Sequence, residues 1–146
     1  LIKINVKVKG VEKVVANIMS KNMEAEKEAG AGLKFAAKDI MADSKINEVP
    51  VDTGTLQSTA FILEPKTTNE GVTVTMGYGG PNDKKNPKSG KMASEYMLEV
   101  HENPTYYHPY GKWKFLEDPV RRYTKPLFDI LRARLKVVFS KGVNMR

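Results

Sequence analysis

The sequence predicts an α+β domain: a long N-terminal helix and a C-terminal helix packed on a small antiparallel sheet, in the order β-α-β-β-β-α. Three observations carry this. Ile2, Ile4, Val6 and Val8 alternate with Lys3, Asn5, Lys7 and Lys9, the period of a strand with one apolar face. From Val11, the residues Val14, Val15, Ile18, Ala25, Ala29, Leu33, Ala36, Ala37, Ile40 and Met41 recur at helical spacing. Leu127, Ile130, Leu131, Leu135 and Val138 form a second such stripe near the C-terminus. The 146 residues suit one domain, 1–146, with a single core.

The first strand ends at Gly10, and the helix that follows reads from Val11 to about Ile46. A straight helix of that length would run ~54 Å, against a radius of gyration near ~15 Å for a chain of this size. Either the run Ala29 to Gly32 ("AGAG") breaks it, or neighbouring subunits cover the excess. Pro50 then ends the segment by forcing Val49 into extended geometry. Thr59 to Leu63 and Val72 to Tyr78 read as strands joined by a hairpin-like connection. Residues 79–91, "GGPNDKKNPKSGK", are polar, lysine-rich and without periodicity, and predict a long loop. Tyr96 to His101 reads as a further strand, and Phe115 to Arg122 and Pro126 to Lys141 read as two helices, with Pro126 at a first helical position.

Composition narrows the functional classes. No apolar run approaches the roughly 18 residues that a membrane span needs, and the N-terminal residues lack the pattern of a secretory signal. With no cysteine, thiol chemistry, disulfides and thiolate metal sites are excluded together. The net charge of +7 is all C-terminal: residues 1–102 hold 14 Lys/Arg against 14 Asp/Glu, and residues 103–146 hold 10 against 3. Such a block meets phosphates or an acidic protein surface, or is simply a solvated helix face.

Four stretches invite chemistry. Asp52-Thr53-Gly54 is the tripeptide of aspartic proteases, which need two facing carboxylates, one per subunit of a dimer. A helix and Pro50 precede it here, so the expected role is a tight helix-to-strand corner, with Gly54 at positive φ and the Asp52 carboxylate bonded to nearby amides. His101, Glu102 and His108 offer metal-ligand types, but the histidines are seven residues apart across a proline-bearing turn, and no metal or other cofactor is expected. "GYGGPNDKK" lacks the ending of a phosphate-binding loop. Tyr106, Tyr107, Tyr110, Trp113 and Phe115, interleaved with Lys112 and Lys114, suit base stacking or, more commonly, a core or an interface.

Together these segments resemble the small head-to-tail joining, or tail-completion, proteins of tailed bacteriophages, also described as minor capsid or tail-component proteins. Three pieces carry the likeness: the long helix running into "VPVDTGTLQS" with Pro50, Asp52, Thr53, Gly54 and Leu56; "YMLEVHE" with Tyr96 and Glu102; and "HPYGKWKFLEDPV" with His108, Pro109, Phe115 and Leu116. Gln57 stands where many members carry arginine. The resemblance implies a non-enzymatic structural protein of the virion neck, made in the host cytoplasm. It implies a homo-oligomer, expected as a hexameric ring, that joins the portal connector to tail terminator or tail tube proteins around the DNA channel, with non-specific contact to that DNA as an option. In that setting Lys84, Lys85, Lys88 and Lys91 are expected to stay mobile until a neighbouring ring presents acidic surface. The competing expectations are a nucleic-acid-binding module using Arg121, Arg122, Arg132 and Arg134, and a dimeric protease at Asp52.

Overall fold

A computed structural model describes residues 4–5, 23–106 and 108–141 of the chain. It shows the expected α+β architecture, two long helices with small antiparallel sheets between them. β1 (Ile4–Asn5) precedes α1 (Met23–Asp43), which runs on into a π-helical turn, Ser44–Glu48. A one-turn helix α2 (Thr55–Ser58) leads to β2 (Phe61–Ile62), β3 (Lys66–Thr68), β4 (Gly71–Thr73) and β5 (Thr75–Gly77). α3 (Ala93–Glu102) and α4 (Glu117–Lys141) complete the order. The expected strand Ile2 to Val8 is observed at Ile4–Asn5, and the expected helical residues 11–22 lie outside the described residues.

α1 and α4 lie antiparallel, since Glu28 meets Arg134 at 3.0 Å near one end and Asp43 meets Arg122 at 2.7 Å near the other. The "AGAG" run does not break α1. Its glycines are packing positions: a Cβ on Gly32 would come within 3.0 Å of Leu131 and 3.1 Å of Arg134, and one on Gly30 within 3.0 Å of Pro65. Glycine lets α4 on one side and the sheet on the other approach the helix backbone, which offsets its low helix propensity of about 1 kcal/mol per residue.

β5 lies between β1 and β2, antiparallel to both, and β3 pairs with β4 as a hairpin. The register explains why the expected strand Val72 to Tyr78 is divided. Phe61 faces Gly77 and Ile62 faces Met76, but Lys66 faces Thr73, so Leu63, Glu64 and Pro65 oppose only Val74 and Thr75. The extra residue on that side divides the pairing into two sheets, and Pro65 within the gap has no ladder N–H to satisfy.

Two expectations are corrected in the second half of the chain. Tyr96 to His101 is not a strand but part of α3, because Ala93, Met97 and His101, four residues apart, are all buried on one face. The five-residue run "YMLEV" alone does not reveal its period. Phe115 to Arg122 and Pro126 to Lys141 are not two helices but one, α4, with Pro126 inside it. Proline within a helix costs ~3 kcal/mol through a lost bond to the carbonyl four residues back. The burial of Leu127, Leu131, Leu135 and Val138 against α1 and the hairpin outweighs that cost.

The main core joins Ile40 and Met41 of α1, Leu56, Val74, Met76, Tyr78, Met97, Phe115 and Leu116. Phe115 is its centre, with its ring edge-on to Tyr78 at 5.4 Å and to His101 at 4.8 Å. Its carbonyl accepts the Ser44 hydroxyl at 2.6 Å, so the buried Tyr78 hydroxyl donates to Ser44 at 2.7 Å. Burial holds the Tyr78 phenol above its ordinary pKa, and its bond with Ser44 only partly offsets this. Phe115→Ala is expected to cost about 3–5 kcal/mol, read from the urea midpoint; a loss within measurement error would contradict this packing.

Candidate functional site

The Asp52 corner begins where Pro50 stops the π turn, with Val49 extended at ψ 130° and its N–H bonded to the Ser44 carbonyl at 2.7 Å. Gly54 takes the expected positive φ, 74°. The rest of the corner differs from expectation in two respects. It leads first into α2 and only then to β2. Among the described residues the Asp52 carboxylate is not held by amides but accepts the ammonium of Lys88, while the Thr53 hydroxyl bonds that of Thr55 at 2.7 Å and lies 3.4 Å from the Thr55 N–H. A hydroxyl there frees the carboxylate to reach across to the loop. Gln57, the departure from the resembled pattern, donates to the Lys45 carbonyl at 2.7 Å and ties α2 back to the π turn. Leu56 is buried in the core.

Residues 79–91 are built from short hydrogen-bonded turns. A 3-10 turn spans Gly80–Asn82, Lys85 bridges to Met92, and Asn86 N–H reaches the Lys91 carbonyl at 2.8 Å. Asp83 accepts the Ser94 N–H at 3.0 Å and its hydroxyl at 2.5 Å, which anchors the start of α3. These bonds hold the Asp83 carboxyl below its usual range although burial acts against them. Lys84, Lys85, Lys88 and Lys91 are all exposed, and of the four Lys88 has an ion-pair partner among the described residues.

The third segment returns beside the corner. The Tyr106 and His108 rings stack at 6.1 Å, 12° from parallel. Burial lowers the His108 pKa, and its Nε2 is enclosed without a hydrogen-bond partner among the described residues. Tyr107 lies outside the described residues. Gly111, at φ 79°, presses on the backbone of the corner: a Cβ there would overlap the Glu48 carbonyl oxygen and lie 2.6 Å from Pro50 N.

Four separate stretches thus enclose one open cleft of about 440 Å³, lined by Pro50, Asp52, Thr53, Gly54, Leu56 and Thr55 from the corner, Asn86 from the loop, Tyr96 and Val100 from α3, and Tyr106, His108 and Pro109. Eight residues that carry the resemblance meet here, with Tyr106 beside them. Glu102, Phe115 and Leu116 do not line the cleft. The last two are core residues, and Glu102 accepts from Lys114 at 2.7 Å and from His101 Nδ1 at 2.7 Å. Those two hydrogen bonds depress the Glu102 pKa. Sequence reasoning missed Asn86, Val100 and Gly111; only the positive φ that glycine favours offered a signal for Gly111.

Beneath the corner lies an ion-pair cluster. Glu48, 7% exposed, accepts from Arg122 at 2.6 Å and faces Lys112 at 3.2 Å; Arg122 also holds Asp43 at 2.7 Å, and Lys112 holds Asp118 at 2.6 Å. The Lys112 bond keeps the Asp118 carboxyl below its usual range. Burial opposes ionisation of Asp43, but hydrogen bonds from Asn47 and Arg122 outweigh it and lower its pKa too. Further C-terminal cations are engaged: Lys114 with Glu102 and Glu117, Arg121 with Glu117, Arg134 with Glu28, and Arg132 more loosely with Asp129 at 3.8 Å.

Among the described residues no group of three His, Cys, Asp or Glu side chains is placed to hold a metal ion, and no helix is long and apolar enough to cross a membrane. No family model, no curated protein and no solved structure matches the chain.

Two outcomes are expected. Gly111→Ala should destabilise the fold clearly more than Gly90→Ala, because both glycines have positive φ, costing about 1–3 kcal/mol, but only Gly111 abuts backbone; equal urea midpoints would refute the clamp. The depressed carboxylates stabilise the fold fully above their unfolded pKa values near ~4 and lose that contribution as pH falls through their folded values. His108, also depressed, adds loss in the same direction from about pH 6.5 downward. Stability should therefore fall between pH 7 and pH 3, and Asp118→Asn should flatten the profile; a midpoint constant to pH 3 would contradict the assignment.

Proposed function

We propose that the chain is a non-enzymatic structural protein of the tailed-phage neck, a ring subunit that joins the portal connector to the tail around the DNA channel. The supporting observation is the convergence of the likeness in space: Pro50, Asp52, Thr53, Gly54 and Leu56, then Tyr96, then His108 and Pro109 surround one cleft although up to 59 residues separate them. A motif set that meets at one place is a unit of structure, and here its members serve turn, clamp and cleft wall. Exposed aromatic and apolar side chains beside it favour protein contacts: Tyr106 is 44% exposed, Tyr110 74% and Trp113 41%. The alternatives draw less support. Lys112 and Lys114, which would neutralise a nucleic-acid backbone next to those aromatics, are both committed to carboxylates. Asp52 is ion-paired to an exposed lysine rather than set in a desolvated carboxylate pair.

Mass measurement and imaging of the purified protein with portal complexes test the proposal. A closed ring seated on the connector is expected, and Asp52→Asn should still form it. A protein that never joins the portal, or a peptide-cleaving activity abolished by Asp52→Asn in a folded chain, would overturn it.

A further inference from the structure

Two exposed helix faces carry apolar side chains among charges of opposite sign. On α1, Lys27, Ala31, Phe35, Lys38 and Ala42 follow one another at steps of four, four, three and four and are all exposed, Phe35 at 50%. Those steps put the five residues on one face, a strip ~22 Å long, with the exposed Glu24 on the same face at its N-terminal end. Glu28, Lys34 and Asp43 of the same helix are engaged in ion pairs, whereas Lys27 and Lys38 have none among the described residues. On α3, Glu95, Leu98, Glu99 and Glu102 are likewise exposed and share one face, with Leu98 at 54%. Aromatic groups extend this second face. Tyr106 lies close enough to Glu99 for that carboxylate to raise its pKa, and the Lys114 ammonium bound to Glu102 lies 5.7 Å from the centre of the Trp113 ring.

Two glutamates of α3 already have intramolecular partners: the Met92 N–H for Glu95, and His101 and Lys114 for Glu102. A carboxylate offers about four acceptor sites, so these contacts orient the oxygens without exhausting them. No lysine or arginine occurs between Lys91 and Lys112, so the face stays acidic.

We infer that these faces are the two halves of one interface between copies of this chain: the lysine-flanked apolar strip of α1 docks on the acidic, aromatic-edged face of α3 of the next copy. The halves share no residue, so a first half seated on the second half of the next copy makes a heterologous contact. Such a contact leaves one half free on each terminal subunit, and so propagates, into a ring where the rotation closes. Exposed Leu98, Tyr106 and Trp113 supply the apolar anchors that interface cores favour, and the small Ala31 and Ala42 beside Phe35 allow two helices to approach. The inference rests on the ring proposed above and names the surfaces that build it.

Charge exchange tests it. One variant carries Lys27→Glu and Lys38→Glu, the other Glu99→Lys. Each alone sets like charges against each other at every contact, and mixing them restores opposite charges at every contact. The mass of each is read by light scattering at low salt, alone and mixed, with circular dichroism to confirm folding. The wild type is expected to associate, less so as salt rises. Each variant should lose association by at least tenfold in concentration, and the mixture should regain it. Variants that associate like the wild type, or a mixture that stays dissociated, would overturn these surfaces while leaving the ring intact. A wild type that remains a single chain at high concentration and beside portal complexes would remove the ring and the interface together.

Discussion

A buried carboxylate sets the terms for much of this molecule. Glu48 ends the π turn with its side chain 9% exposed, a position in which an unpaired charge would be costly. Its two cations come from distant places in the chain, Arg122 on α4 and Lys112 in the loop before it. Each is fixed in turn by a second acid, Asp43 or Asp118. The Glu48 backbone takes part as well, since its carbonyl accepts the Lys112 N–H at 2.8 Å. One residue therefore sets the distance between the end of α1, the 110s loop and the first turns of α4.

The cleft follows from that constraint. The 110s loop can approach the corner because Gly111 has no side chain to place against the Glu48–Pro50 backbone. The approach brings Tyr106, His108 and Pro109 beside Asp52 and Tyr96. Lys114, at a positive φ of 58°, then donates its N–H to the His101 carbonyl and points its ammonium to Glu102, which turns the chain from the cleft wall into α4. Phe115 and Leu116 enter the core directly behind that turn. Lys112, Lys114 and Arg122, three of the ten basic residues of the C-terminal third, are engaged inside this arrangement.

Long periodic stretches were legible because their spacing records which face is buried. The α1 and α4 stripes and the positive φ at Gly54 could be read from residues alone. Short or interrupted stretches were not. "YMLEV" fits a strand locally, and only the burial of Ala93, Met97 and His101 on one face makes it helical. Pro126 argued for a helix start, but the apolar residues beyond it, packed on α1 and the hairpin, hold one helix straight through it. The glycines of "AGAG" looked like a break because propensity is local, while the closeness of Leu131 and Pro65 that requires them is not.

The amino-acid sequence by itself determined the α+β class, the apolar stripes of α1 and α4, the proline-terminated corner and the absence of thiol chemistry, since each depends on residue type or spacing within a single segment. Only the tertiary structure decided that Asp52 faces Lys88 instead of its own amides, that Glu48 gathers its cations from 64 and 74 residues away, and that eight residues marked out along the chain wall one cleft. Such pairings are chosen by which charges and surfaces the packed backbone brings together, and one-dimensional order carries no direct record of that choice.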